Sequence, residues 1–179
     1  MNYHNILHDD MLNGDGLRVV LFVSACDHKC FNCQNPQTWD CDSGIPFDEN
    51  AKNEIFTQLD KDYISGITFS GGDPLHDNNI EEVYKLISII KENYPNKTIW
   101  LYSGYTWEDI IGDEVVLNSM SSYSKFLRRS ILTISDVFVD GRYIDNLRDE
   151  KYHWAGSTNQ RVIDVQQSLQ QNKVITIDK

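Results

Sequence analysis

The chain has 179 residues, of which 40% are hydrophobic and 24% are charged, proportions typical of a folded globular protein rather than a disordered one. Its 16 lysines and arginines are outnumbered by 27 aspartates and glutamates, and the formal charge of −11 disfavours binding to nucleic acid. The longest wholly apolar run, Val19 to Val23, is too short to cross a membrane, and the amino terminus shows no export signal. We therefore expect a cytoplasmic protein with no membrane or nucleic-acid partner, folded as one domain over residues 1–179.

Strands and helices are predicted to alternate along the chain. Runs of β-branched and apolar residues indicate four buried strands, at 18–23, 66–69, 98–102 and 137–139. Apolar residues at helical spacing indicate three helices, at about 48–60, 78–94 and 107–134. The second helix is expected to use Asn78 as its N-cap with Glu81 three residues on, and the third is expected to break at its serine-rich middle. The pattern over 162–177 does not decide between strand and helix.

This alternation predicts an α/β fold with a parallel sheet and right-handed crossovers. Four or five strands are too few for a closed eight-stranded barrel, which leaves a partial barrel or an open doubly wound sheet. Each predicted strand is followed by a turn motif: a cysteine loop, Gly-Gly-Asp-Pro, Ser-Gly-Tyr or Asp-Gly. Because the carboxyl ends of parallel strands share one edge of a sheet, we expect the four turns to meet at one pocket.

Three of the four cysteines, Cys26, Cys30 and Cys33, have the spacing C-x3-C-x2-C. Three thiolates on a short loop suit a 4Fe-4S cluster in which one iron keeps an open position. The spacing alone also allows a closed zinc site completed by Cys41 or His28, or three ordinary thiols. The absence of an export signal favours a metal or redox role for these cysteines over disulfides.

The cysteine motif after the first strand of a βα series resembles the radical S-adenosylmethionine (SAM) superfamily. Further motifs in the same order narrow the resemblance to the glycyl-radical activases that serve anaerobic ribonucleoside-triphosphate reductase. These motifs are Asn35–Asp40, Ser70–Leu75, Leu101–Tyr105, Val139–Gly141 and Trp154–Arg161. The resemblance covers residues 1 to about 164 and implies a single radical SAM domain folded as a partial (βα) barrel.

The sequence departs from the pattern of these proteins at three places. Asn32 stands before the third cysteine, where many superfamily members carry an aromatic residue. Ala155 stands where an arginine is expected, which leaves the role of that arginine open. Residues 112–135 are longer than the family pattern, so we expect an insertion there.

The resemblance implies that Cys26, Cys30 and Cys33 hold a 4Fe-4S cluster and that SAM binds to its open iron. One electron, from a low-potential donor such as flavodoxin, would cleave SAM into methionine and a 5′-deoxyadenosyl radical. That radical would take hydrogen from the α-carbon of a glycine in the partner, the anaerobic ribonucleoside-triphosphate reductase. No side chain is implied as a catalytic residue, because the cluster and SAM carry the chemistry.

The expected SAM contacts lie in the turns after the strands. They are Gly71 and Gly72 for close backbone approach, Asp73 as acceptor for the SAM ammonium, Asn32, Cys33 and Gln34 near the adenine, and Ser103 as a weaker candidate. His28 is interpreted as a supporting loop residue rather than an iron ligand.

Two other functions stay open on the sequence. One is a different radical SAM enzyme that acts on a small molecule. The other is a non-enzymatic zinc or iron–sulfur binding module.

Overall fold

The computed structural model describes residues 1–112 and 122–177. Within these ranges the strands are β1 (Asn2–Asp10), β2 (Arg18–Val23), β3 (Ile45–Pro46), β4 (Gly66–Gly71), β5 (Thr98–Tyr102), β6 (Val137–Asp140) and β7 (Arg161–Asp164). The α-helices of the same ranges are α1 (Glu49–Leu59), α2 (Ile80–Asn93), α3 (Trp107–Ile111), α4 (Ser122–Ile134) and α5 (Val165–Gln171). None of the described helices is long and apolar enough to cross a membrane.

The described strands form one mixed sheet in the order β3-β1-β2-β4-β5-β6-β7. The four central strands, β2, β4, β5 and β6, pair in parallel, with Val20 beside Thr68, Thr68 beside Trp100 and Trp100 beside Val137. The α/β fold is therefore confirmed, and the predicted parallel sheet is correct for these four strands. It is wrong for β1, β3 and β7, which pair antiparallel to their neighbours.

The two faces of the sheet have different coverings. Alternate residues such as Leu21, Phe69 and Leu101 join the helices in the main hydrophobic core. The opposite face carries a smaller cluster around Trp100 and Val139, on which Trp154 packs. Since side chains alternate along a strand, the continuous apolar strand sequences reflect burial on both faces.

The sequence did not predict three of the described strands, β1, β3 and β7. In β1 only Ile6 is buried, and the remaining residues are mostly polar or charged, as befits a strand near a sheet edge. The undecided segment 162–177 contains the end of β7 and the whole of α5. β1 and β7 therefore form because each pairs with a buried neighbouring strand, which its own sequence does not indicate.

The predicted helix boundaries are partly confirmed. Asp48 caps α1 by accepting from the backbone N–H groups of Asn50 and Ala51. The predicted cap at Asn78 is wrong, because Asn79 occupies that position and uses its side chain elsewhere. The predicted insertion at 112–135 includes α4, and residues 113–121 lie outside the described residues. Of the serines predicted to break the helix, Ser119 and Ser121 also lie outside them, whereas Ser122 and Ser124 lie in α4.

Arg18 is a fully buried cation at the start of β2. Its guanidinium donates to Thr68 Oγ1 (2.8 Å), Thr98 Oγ1 (2.9 Å) and the carbonyl oxygen of Ile67 (2.8 Å), and it lies 5.3 Å from the centre of the Trp100 ring. Burial lowers the pKa of Arg18 to about 10, so the group stays charged at neutral pH. These bonds join β2 to β4 and β5.

We expect Arg18→Met to destabilise the protein by about 2–4 kcal/mol, because the buried oxygens that it bonds lose their donors. Chemical denaturation followed by circular dichroism measures this. Arg148→Met is the matched control, since the exposed Arg148 side chain bonds the exposed carboxylate of Glu150 in the described structure. Equal losses in the two variants would contradict the role of Arg18.

Candidate functional site

A cavity of about 880 Å³ lies at the edge where the parallel strands end. The turns after β2, β4, β5 and β6 all contribute to its wall. Residues that represent them are Cys26, Cys30, Cys33, Gly72, Ser103 and Gly141. The predicted meeting of four turns at one pocket is thus confirmed.

The cysteine loop, residues 25–33, has an unusual backbone. Ala25, Lys29 and Asn32 have φ values of 71°, 45° and 54°, in the left-handed region that residues other than glycine seldom adopt. The N–H of Cys26 donates to the carbonyl oxygen of Trp39 at 3.1 Å, which fixes the start of the loop. Such conformations persist where the surrounding structure imposes them, and they cluster at functional sites.

The three cysteines of the loop are free thiols of intermediate burial. Burial, with the nearby Asp73 carboxylate as a second cause, raises the pKa of Cys26 to about 11, and burial also raises the pKa of Cys30. A bound metal reverses this effect, because its positive charge stabilises thiolates. The donor set therefore fits a soft metal or an iron–sulfur cluster.

The two residues that the sequence offered as a fourth zinc ligand lie in different places. Cys41 is exposed and is not part of the cavity wall. His28 lines the cavity beside the three cysteines.

Gly71 and Gly72 allow the turn after β4 to lie directly against the start of the cysteine loop. Gly71 has a φ of 96°, and a Cβ there would lie 2.8 Å from the backbone of Phe22. A Cβ on Gly72 would lie 2.5 Å from the carbonyl oxygen of Ala25. Both glycines also leave bare backbone in the cavity wall.

Asp73 lies behind the cavity wall, with only 1% of its surface exposed. Its carboxylate accepts from the N–H groups of Leu75 (2.8 Å) and Gly104 (3.1 Å) and from the Ser103 hydroxyl (2.8 and 2.9 Å). His28 Nε2 lies 2.8 Å from Asp73 Oδ2. Protein donors thus surround this carboxylate, and its contact with the SAM ammonium stays a prediction.

The other predicted contacts divide into two groups. Cys33, Gln34 and Ser103 line the cavity. Asn32 is exposed and donates to Asp145 Oδ2 at 3.0 Å, and its contact with the adenine stays a prediction. Ala155, at the position where arginine was expected, lies in the cavity wall.

Two buried polar atoms of the described structure, Tyr102 Oη and Trp39 Nε1, have no hydrogen-bond partner, and both residues line the cavity. An unpaired buried donor costs about 1–3 kcal/mol, so its retention needs a reason. Burial raises the pKa of Tyr102, so its hydroxyl remains a protonated donor. The sequence did not single out Tyr102, although its position two residues after Trp100 on the same face of β5 is a usable signal.

The site and the chain match known proteins. A family model described as a 4Fe-4S single cluster domain matches residues 12–163. The anaerobic ribonucleoside-triphosphate reductase-activating protein of Enterobacteria phage T4 is 42% identical over 162 residues, which cover 90% of this chain and 93% of that protein. Proteins with the same name from Escherichia coli (strain K12) and Pasteurella multocida (strain Pm70) are each 35% identical. They cover 90% and 89% of this chain, and 97% and 95% of their own lengths.

We expect Asp73→Asn to destabilise the ligand-free protein by about 1–3 kcal/mol. In either orientation, the NH2 group of the new amide faces a protein donor from which the carboxylate now accepts a hydrogen bond, so two donors oppose each other. Chemical denaturation measures the loss, and Asp27→Asn, at an exposed carboxylate of the cysteine loop, is the control. Unchanged stability of Asp73→Asn would show that these donors do not hold the carboxylate.

Proposed function

The chain belongs to the family of anaerobic ribonucleoside-triphosphate reductase-activating proteins, and we propose that it generates a glycyl radical on such a reductase through reductive cleavage of SAM. One observation carries this proposal. Three thiols with the spacing C-x3-C-x2-C share a cavity with the turns that follow the parallel strands. We further propose that residues 1–179 form a single radical SAM domain of the partial-barrel type.

Cys26, Cys30 and Cys33 are the proposed ligands of the 4Fe-4S cluster. When bound, such a cluster supplies the electron that cleaves SAM. The chain's own contribution is to hold three thiols on one loop and to offer no fourth cysteine there, since Cys41 is exposed outside the cavity. A ligand set of three protein residues leaves one position for SAM.

SAM is proposed to bind in the cavity beside these thiols. Gly71 and Gly72 present backbone there without side chains, and Gln34 contributes an amide. SAM carries a carboxylate, ribose oxygens and adenine nitrogens that accept hydrogen bonds. The unpaired donors Tyr102 Oη and Trp39 Nε1 therefore suit such a ligand.

The reductase is proposed to present its glycine to the same cavity on a peptide segment. Met11 and Leu12 line the cavity although they are 70% and 82% exposed. Exposed apolar side chains at a binding cleft are typical of contact with another protein. A low-potential protein such as flavodoxin is the proposed electron donor, and the cytoplasm is the proposed location.

The proposed function is tested by anaerobic incubation of the reconstituted protein with a reductant, SAM and a candidate reductase. Electron paramagnetic resonance should show a glycyl doublet on the reductase. SAM cleavage without a doublet for any reductase would favour the small-molecule alternative. A colourless protein that contains zinc would favour the binding module.

We expect Cys26→Ala, Cys30→Ala and Cys33→Ala each to abolish SAM cleavage, whereas Cys41→Ala retains most of it, because only the first three share the loop. Iron and sulfide content after anaerobic reconstitution, together with methionine release, measures this. An intact cluster in Cys30→Ala, or its loss in Cys41→Ala, would overturn the ligand assignment.

We expect Tyr102→Phe to weaken SAM binding about 3- to 10-fold, the factor for one lost neutral hydrogen bond. The same change should leave the ligand-free protein equally stable or more stable, since it removes an unpaired buried hydroxyl. Titration calorimetry and thermal melts measure the two effects, with the exposed Tyr63→Phe as control. A less stable ligand-free protein would mean that the hydroxyl already has a partner.

A further inference from the structure

His28 lies in the middle of the cysteine loop, and its side chain is only 9% exposed. We propose that His28 is a positioning residue that fixes the cysteine loop against the turns after the other parallel strands, and thereby sets where the three thiols stand. This inference rests on the proposed cluster site. It assigns His28 no bond to iron and no part in proton transfer.

The imidazole of His28 contacts all three of the other turns. Its Nε2 lies 2.8 Å from Oδ2 of Asp73, after β4. Its Nδ1 lies 3.2 Å from Nε of Arg142, after β6. The ring packs edge-on against Tyr105, after β5, with the ring centres 4.8 Å apart.

Gly104 makes room for this arrangement. A Cβ on Gly104 would lie 2.3 Å from Cδ2 of His28, closer than any real contact. The glycine is therefore required by the imidazole, although its φ lies outside the left-handed region. The same residue donates its N–H to Asp73, so one turn serves both partners.

The hydrogen-bond partners determine which nitrogen of His28 carries the proton. Arginine can only donate, so the bond from Arg142 requires Nδ1 to be the acceptor. Nε2 then carries the hydrogen and donates it to the Asp73 carboxylate. The contact is thus a directional N–H hydrogen bond to a buried carboxylate.

Asp73 bonds other parts of the site besides the imidazole of His28. Its carboxylate also accepts from Ser103 and Gly104, and its backbone N–H donates to the carbonyl oxygen of Ala25 at 2.7 Å. Ala25 directly precedes the first cysteine. The loop is therefore held at its start by the Asp73 backbone and at its middle by the Asp73 side chain, through His28.

The test compares two substitutions that separate the effect of the His28 N–H donor from the effect of its side-chain volume. His28→Leu keeps a similar volume and removes both polar contacts. His28→Gln keeps an N–H group that can reach the carboxylate in place of Nε2. His76→Leu is the matched control, because His76 also touches the loop, through Asp27 at 3.1 Å, but makes that contact with an exposed carboxylate.

The first readout needs no cluster. Hydrogen exchange of the peptide covering residues 26–33 is measured in the ligand-free full chain. We expect it to rise about 10- to 100-fold in His28→Leu, the factor for one lost hydrogen bond to a charged group. His28→Gln and His76→Leu should stay close to wild type. The second readout is the loss of iron to a ferrous chelator from the anaerobic holoprotein, which should accelerate by a similar factor in His28→Leu alone.

The third readout is the electron paramagnetic resonance spectrum of the reduced cluster with SAM added. It should differ from wild type in His28→Leu and return to the wild-type shape in His28→Gln, a rescue that general destabilisation would not produce. Equal behaviour of wild type and His28→Leu in hydrogen exchange and chelation would overturn the inference. If His28→Leu does not fold, His28→Asn replaces it, since its amide is too short to reach Asp73, and equal results for Asn and Gln would overturn the inference.

The proposed function and this inference are contradicted by different results. A wild-type protein that binds no iron and sulfide contradicts the proposed function, whereas hydrogen exchange in the ligand-free chain still decides whether His28 fixes the loop.

Discussion

A buried carboxylate joins the turns on which the site depends. Removing a carboxylate from water costs several kcal/mol unless donors replace the lost water, and Asp73 obtains these donors from turns that follow different strands. Ser103 and Gly104 supply two of them after β5, and His28 supplies another from the cysteine loop. Because the carboxylate is satisfied only when these turns lie in their present positions, its burial and the geometry of the thiols are physically linked.

Parallel pairing brings the turns within reach of that carboxylate. Val23, the last residue of β2, pairs with Gly71, the last residue of β4, so the turns that follow these strands begin at the same level. A second buried carboxylate, Asp140 at the end of β6, works in a similar way. It accepts from the N–H of Trp107 at 2.8 Å and from Arg161 Nε at 3.0 Å, which ties β6 to α3 and β7. Backbone pairing aligns the strand ends, and the two buried carboxylates then hold each turn against the neighbouring elements.

The sequence predicted the parallel strands and the cavity, because both depend on local patterns. The apolar run in β2 and the cysteine spacing after it are readable without knowledge of partners. The polar strand β1 was missed, since its place in the sheet comes from pairing with β2 rather than from its own residues. The cap assigned to Asn78 was wrong because Asn79 occupies the N-cap position. The Asn79 side chain donates to the carbonyl oxygens of Asp73 and of Ser24, the latter 55 residues away. Long-range hydrogen bonds leave no periodic signal in a sequence.

The same limit applies to Asp73 and Tyr102, because the sequence does not reveal the hydrogen-bond partners of either side chain. A carboxylate after a glycine pair and an aromatic residue in a strand look, from the sequence, like a ligand contact and a core residue. The structure separates them by hydrogen-bond satisfaction. Asp73 has its acceptor capacity filled by protein donors, whereas Tyr102 Oη is buried in the cavity wall without a partner. Groups that shape a site gain stability from being saturated, and groups that bind a ligand must be left with unused capacity. Whether a buried polar group already has its hydrogen-bond partners is therefore the physical criterion. It distinguishes the residues that position this site from those available to a ligand.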